Sequence, residues 1–204
     1  MIVTITVNPA LDISMNTEEV LPDVKIRCGE PGYEPGGGGI NVSRAIRRLG
    51  GSSTALYCAG GPVGDMLRAI VESEGIHSHA VRIGGVTRPS ISVKESSSGR
   101  QYRFLPPGPQ VEEKEWRQLL MNLSILAEKL EYVVISGSSA PGIPGEFYSR
   151  AVRIAADLGA LTIVDASEDA MRAALEAGVY LIKPNLRELR EITGCPADTE
   201  DDQE

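Results

Sequence analysis

Apolar and polar positions along the chain follow two periods that take turns. Residues 2–7 are almost continuously apolar, the pattern of a central strand covered on both faces. Shorter runs at 53–58, 79–83, 132–136, 161–165 and 180–182 predict further strands. Between them the period becomes helical. Val42, Ala45, Ile46 and Leu49 fall at i, i+3, i+4 and i+7, and Gly50 fits the left-handed position that ends a helix. Residues 64–75 place Leu67, Ile70 and Val71 on one side. The strongest helical pattern is 112–130, with Trp116, Leu119, Leu120, Leu123, Ala127 and Leu130 in phase. Helices are also predicted at 146–158, 168–177 and 186–193. This alternation implies right-handed crossovers and a mostly parallel sheet between helical layers, an α/β architecture.

Four short segments do not fit that sheet. Residues 11–15 and 24–28 read as half-exposed strands, and 90–95 and 100–104 flank the hairpin signal Ser96-Ser97-Ser98-Gly99. They predict a separate small β layer that serves as a lid or a dimer contact. Composition narrows the picture. The 204 residues suffice for one domain with a large core, and 4% aromatic content makes that core aliphatic. A net charge of −8 argues against nucleic acid as a partner, and no apolar run is long enough to span a membrane. The start reads directly as a strand, with no basic leader. Cys28, Cys58 and Cys195 make neither a zinc spacing nor a disulfide framework, which fits a cytoplasmic protein with buried thiols. The acidic stretch from Ala197 to Glu204 reads either as a solvated tail or as the start of a further helix.

Candidate chemistry gathers where strands end. Glu34-Pro35-Gly36-Gly37-Gly38-Gly39-Ile40-Asn41 leads into the first helix. Bare glycine backbone, the free N–H groups of a helix start and the Asn41 carboxamide together suit a polyhydroxylated or anionic small molecule. The plain alternative is a flexible loop before a helix. In doubly wound sheets, ligands bind beyond the carboxyl ends of the strands. The polar groups there are Asn8 and Asp12, Ser136 to Ser139, Asp165, and Lys183-Pro184-Asn185, while Arg88 precedes the hairpin. Each has a structural alternative: Asp12 as a turn cap, Ser138 and Ser139 as helix caps, Asp165 as an acceptor for backbone N–H groups. His77 and His79 show no partner pattern and read as surface residues. No lysine follows a G-x-x-x-x-G frame, so a Walker-type phosphate loop is excluded.

Asn8-Pro9-Ala10-Leu11-Asp12, the glycine corner, Ser136-Gly137-Ser138 and Lys183-Pro184-Asn185-Leu186-Arg187-Glu188 occur in one order at family-like spacing. Together they resemble the ribokinase-like (PfkB) carbohydrate kinases over essentially the whole chain. The resemblance is strongest to the branch of 6-phosphofructokinase, 1-phosphofructokinase and tagatose-6-phosphate kinase. It implies a three-layer α/β/α domain with a β-sheet lid formed by segments near 11–33 and 88–105; the open strand edges of the hairpin and its apolar Ile91, Val93, Tyr102 and Phe104 predict a homodimer through that lid. It implies that residues 1–204 are the N-terminal two-thirds of one such domain. Asp12, Asn41 and the backbone of Gly37, Gly38 and Gly39 would bind sugar hydroxyls. Lys25 and Arg88 would clamp the phosphate of the sugar, helped by Arg27 or Arg103, and Ser138 would line the same pocket. Lys183, Asn185 and Glu188 would face ATP, with Glu188 holding Mg²⁺ through water. The reaction implied is phosphoryl transfer from ATP to fructose 6-phosphate. The family's catalytic base, an aspartate in Gly-Ala-Gly-Asp, does not occur in these 204 residues and is expected beyond Glu204. The chain by itself is therefore expected to be inactive.

Two rivals are weighed against this reading. A dinucleotide oxidoreductase is disfavoured, because the glycines lie far from the turn after the first strand and the strand ending Cys58-Ala59-Gly60 supplies no ribose-binding acid. A non-catalytic sugar-phosphate sensor would keep the binding residues and dispense with the base.

Overall fold

The computed structural model describes residues 1–126 and 130–195. The larger sheet contains β1 (Ile2–Thr6), β4 (Ser53–Ala59), β5 (His77–Arg82), β8 (Tyr132–Ser136), β9 (Leu161–Asp165) and β10 (Leu181–Ile182). The order is β10-β9-β8-β1-β4-β5, and every neighbouring pair is parallel. From β1 the sheet grows in both directions. With right-handed crossovers, that reversal sends helices to opposite faces and opens a crevice at the carboxyl ends of the central strands. On one face α3 (Glu113–Ile125), α4 (Gly145–Asp157) and α5 (Glu168–Glu176) bury Trp116, Leu119, Phe147 and Met171 against Val3, Ile5, Val133 and Val164. On the other, α1 (Gly38–Arg48) and α2 (Gly61–Ser73) bury Ile40, Leu67 and Val71 against Ala55, Tyr57 and Ala59. The last helix, α6 (Leu186–Thr193), follows β10.

The second sheet is formed by β2 (Ala10–Thr17), β3 (Gly32–Gly36), β6 (Arg88–Glu95) and β7 (Gln101–Phe104), in the order β3-β2-β6-β7. β2 and β6 run parallel, and the outer pairs are antiparallel. The hairpin between β6 and β7 is held by Glu95, whose carboxylate accepts from the Ser98 hydroxyl and, at 2.7 Å, from the Val20 N–H.

Tertiary structure overrode the pattern in several places. Residues 24–28 form no strand, and β3 lies instead on the front half of the glycine corner. Pro35 is tolerated there because β3 is an edge strand. α2 begins at Gly61 with Pro62 in its first turn, three residues before the apolar period signals it. α1 buries Gly39, Ile40 and Ser43 rather than its apolar stripe, and Leu49 is 87% exposed. Small side chains let α1 lie close on β1, and its polar edge is satisfied inside. The Ser43 hydroxyl shares a 2.8 Å hydrogen bond with Thr4 and accepts one from Ser53 at 2.9 Å. Of the three thiols only Cys58 is buried, and burial pushes its pKa up to about 12; Cys28 is half-buried and Cys195 exposed. The predicted end of the third helix, with Ala127, lies outside the described residues. So does the acidic stretch from Ala197 to Glu204, so neither reading of it, tail or helix start, is tested. Among the described residues no helix is long and apolar enough to cross a membrane.

Candidate active site

The glycine run is a close-packed corner rather than a loose loop. A Cβ on Gly38 would fall 2.2 Å from Ser136 Oγ and 2.7 Å from the Gly137 nitrogen. One on Gly39 would fall 2.6 Å from the Ile5 carbonyl oxygen. Glycine is required for the start of α1 to lie across the ends of β1 and β8. Thr6 Oγ1 then accepts from the Ile40 N–H at 3.0 Å and fixes the first turn. The Asp12 carboxylate lies against Gly36, and Asn41 is exposed one turn further on.

Arg88, the first residue of β6, reaches back over this corner. Its Nη1 donates to the Pro106 carbonyl at 3.2 Å; its Nη2 donates to the Asn8 carbonyl at 3.3 Å and to Ser138 Oγ at 2.9 Å. Burial pushes the guanidinium pKa down, and the charge of Asp12 opposes that shift. Among the described residues Arg88 makes no ion pair within 4.0 Å. A half-buried cation so placed is chemically matched to an anionic ligand. Beside it, Asp12, Ser14, Ser90, Ser92, Gln101 and Arg103 line a hollow of about 210 Å³ on the small sheet. Lys25 is exposed on the segment between β2 and β3 and makes none of the hydrogen bonds of this cluster.

A second cleft, of about 430 Å³, is lined by Gly38, Ser136, Ser138, Asp165, Ser167 and Glu188, and the Ser138 hydroxyl that bonds Arg88 stands on its wall. Ser136 Oγ donates to Asp165 at 3.3 Å, and Lys183 Nζ donates to the other oxygen of that carboxylate at 3.3 Å. Asn185 and Glu188 cap α6 reciprocally. Asn185 Oδ1 accepts from the Glu188 N–H at 3.0 Å, and Glu188 Oε2 accepts from the Asn185 N–H at 2.8 Å. The Asn-x-x-Glu spacing is thus a capping box, a local reading that the same residues carry in sequence. A larger open hollow, about 660 Å³, lies at the far end of α1 among Arg44, Arg47, Arg48 and Glu74. Basic residues there complement the negative end of the helix, and the strand-end chemistry is elsewhere.

The structure joins Arg88 to Ser138, sets Asp12 near enough for its charge to act on Arg88, and places Gly38, Ser138 and Glu188 on one cleft, with Gly37 and Gly39 flanking Gly38 and with Lys183 and Asn185 attached through Asp165 and Glu188; Asn41 bonds Arg44 and lines neither hollow. The base expected beyond Glu204 lies outside the described residues, which end at Cys195. Sequence reasoning undervalued two features. Asn8 bonds the turn carrying Ser138 and Ser139, and the proline-rich return segment 105–111 supplies the Pro106 carbonyl to Arg88. The unusual Pro106-Pro107-Gly108-Pro109 composition was the available signal for the second.

A parallel sheet with this switch point, a glycine corner over it and a separate small sheet define a sugar-kinase architecture. Residues 4–204 match the model of the pfkB family carbohydrate kinases, and the chain belongs to that family. It is 42% identical over 202 residues to ATP-dependent 6-phosphofructokinase isozyme 2 of Mycobacterium tuberculosis, covering 99% of this chain and 59% of that protein. It is 33% identical over 189 residues to D-tagatose-1-phosphate kinase of Bacillus licheniformis, covering 93% of this chain and 61% of that one. Phosphofructokinase-2 from Escherichia coli in complex with fructose-6-phosphate superposes with a TM-score of 0.92 at 40% identity, over 99% of this chain and 67% of that one. The chain thus spans about three-fifths of the curated relatives it matches.

Proposed function

We propose that this chain is the sugar-phosphate-binding part of an ATP-dependent kinase that phosphorylates fructose 6-phosphate. The observation that carries this is Arg88, a half-buried guanidinium with no carboxylate within 4.0 Å among the described residues, bonded to Ser138 and near enough to Asp12 to feel its charge. Asp12 and Asn41 bind sugar hydroxyls beside the backbone of Gly37–Gly39. Arg88 and Ser138 hold the phosphate, and Lys25 joins them only if its segment or a second copy brings it in. The relative solved with fructose-6-phosphate supports that ligand.

ATP lies on the side of Lys183, Asn185 and Glu188. The carboxylates of Glu188 and Asp165 line that cleft, a donor set suited to Mg²⁺ that keeps part of its water shell. The metal, when bound, neutralises charge on the transferring phosphoryl group. Asp165, which accepts from Ser136 and Lys183, is not assigned the role of base; no Gly-Ala-Gly-Asp stands in the 204 residues up to Glu204, so on this reading they bind without turnover. The segments 11–33 and 88–105 act as a lid, which also joins two copies in the cytoplasm. Tyr33, Phe104 and Leu105 are 44%, 57% and 58% exposed on or beside that small sheet, and a second copy would cover them.

Calorimetric titration of the 204-residue chain tests the reading. Fructose 6-phosphate is expected to bind well ahead of fructose, with no phosphoryl transfer from ATP. Equal affinity for the two sugars, or turnover above a contaminant control, overturns it.

A further inference from the structure

We infer that Asn8 is a positioning residue for the phosphate clamp, acting through Ser138 and the Arg88 guanidinium. This rests on the phosphate-binding role proposed for those two residues. Asn8 follows the end of β1 and is 5% exposed. Its Nδ2 donates to the Ser139 carbonyl at 2.8 Å and, more weakly, to Ser138 Oγ at 3.4 Å. The Ser139 carbonyl can only accept, so the carboxamide has one workable orientation. The main-chain carbonyl of Asn8 accepts from Arg88 Nη2, the same nitrogen that donates to Ser138 Oγ. Asn8 therefore touches both arms of the clamp and the turn that carries one of them.

The hydrogen-bond inventory gives this a direction. Ser138 Oγ already receives two donors, from Arg88 and from Asn8. What it has left to offer is its own proton, which must point to a third atom that accepts. An anionic phosphate oxygen in the crevice is such an atom. Nη2 of Arg88 is occupied by two protein oxygens and Nε is buried without a partner, which leaves one Nη1 hydrogen for a ligand. The clamp is thus one guanidinium N–H and one hydroxyl O–H, and Asn8 holds the second in its donating state. The cost is visible: Asn8 Oδ1 is buried against Gly108, where a Cβ would fall 2.1 Å away, and has no protein partner.

A residue that merely ties two loops together would lower stability and weaken all ligands alike. A positioning residue changes the discrimination between sugars with and without phosphate. The test uses the 204-residue chain with Asn8→Ala and Asn8→Asp. Fructose 6-phosphate is titrated calorimetrically, fructose by saturation-transfer NMR, and folding is checked by urea unfolding. Asn8→Ala is expected to weaken fructose 6-phosphate about tenfold while leaving fructose within about twofold. Asn8→Asp keeps the shape, so it carries the test if the alanine variant does not fold. Its carboxylate cannot donate to the Ser139 carbonyl or to Ser138 Oγ and would take the Ser138 proton itself, so fructose 6-phosphate should weaken at least as much. The inference is overturned if both variants bind fructose 6-phosphate like the wild type, or lose both sugars by the same factor. A wild-type chain that binds no sugar phosphate overturns the proposed function first, and this inference with it; wild-type binding with unaffected variants overturns only the role of Asn8.

Discussion

The two sides of the crevice are built differently. On the side of Arg88, one guanidinium bonds groups from the end of β1, the turn after β8 and the segment returning from the small sheet. On the side of Glu188, Asn185 and Glu188 satisfy one another within one helical turn, and Lys183 pairs with Asp165, 18 positions away. The first arrangement is long-range and half-buried. The second is of shorter range and largely exposed. A long-range network specifies position, because moving any member strains the others. A capping box fixes only its own helix turn. The group around Arg88 therefore holds several elements in place at once, whereas the one around Glu188 holds mainly the start of α6.

The sharpest way to break this contrast is Arg88→Ala. Loss of a charge-assisted hydrogen bond, about 1.5–3 kcal/mol, should weaken fructose 6-phosphate roughly tenfold to a hundredfold. ATP affinity should be unchanged by calorimetry; equal losses would place Arg88 outside the clamp. Gly38→Ala strikes the wall shared by both sides. Its methyl would meet Ser136 Oγ and the Gly137 nitrogen, and overpacking should cost about 1–3 kcal/mol in urea unfolding. Unchanged stability would mean that α1 can lift from the strand ends.

Glu188→Gln keeps an acceptor for the Asn185 N–H but removes charge from the start of α6. Stability should fall by about 0.3–1 kcal/mol, and nucleotide binding should need more Mg²⁺ while fructose 6-phosphate binds as before. Wild-type Mg²⁺ dependence would remove Glu188 from the nucleotide side. The smallest effect concerns pH. The Ser98 hydroxyl, then the Val20 N–H, hold the Glu95 carboxyl below its ordinary value of 4.5. A depressed carboxyl stabilises the fold above its unfolded pKa, and that contribution disappears as pH falls through the folded one. Protection of the Val20 amide, measured against its intrinsic exchange rate, should therefore fall as acid protonates Glu95. Glu95→Gln should remove that step, and a step that persists would assign it to another carboxyl.

Much of the body was legible because its signals are local. The apolar run at the start marks β1, and the phase of Trp116, Leu119 and Leu123 marks α3, since burial on one or both faces imposes those periods directly. The glycine corner and the strand-end polar residues were legible for the same reason. The face that α1 buries was not. Val42, Ala45, Ile46 and Leu49 make the better apolar stripe, yet Gly39, Ile40 and Ser43 face the sheet. Close approach to Thr4 and Ser53 outweighed hydrophobicity there, and neither partner is near in sequence. β3 was misplaced because its pairing with β2 is set across the sheet rather than by its own residues.

The sequence by itself determined the element types, the parallel sheet, the separate small sheet and the set of polar residues at strand ends. Periodicity and turn chemistry are properties of a few consecutive residues. Only the tertiary structure decided which of those residues act together. The bond from Arg88 to Ser138 spans 50 positions and that from Asn8 to Ser139 spans 131. Such pairs form where the reversal at β1 brings the ends of β1 and β8 side by side, and strand pairing, not local propensity, sets that distance.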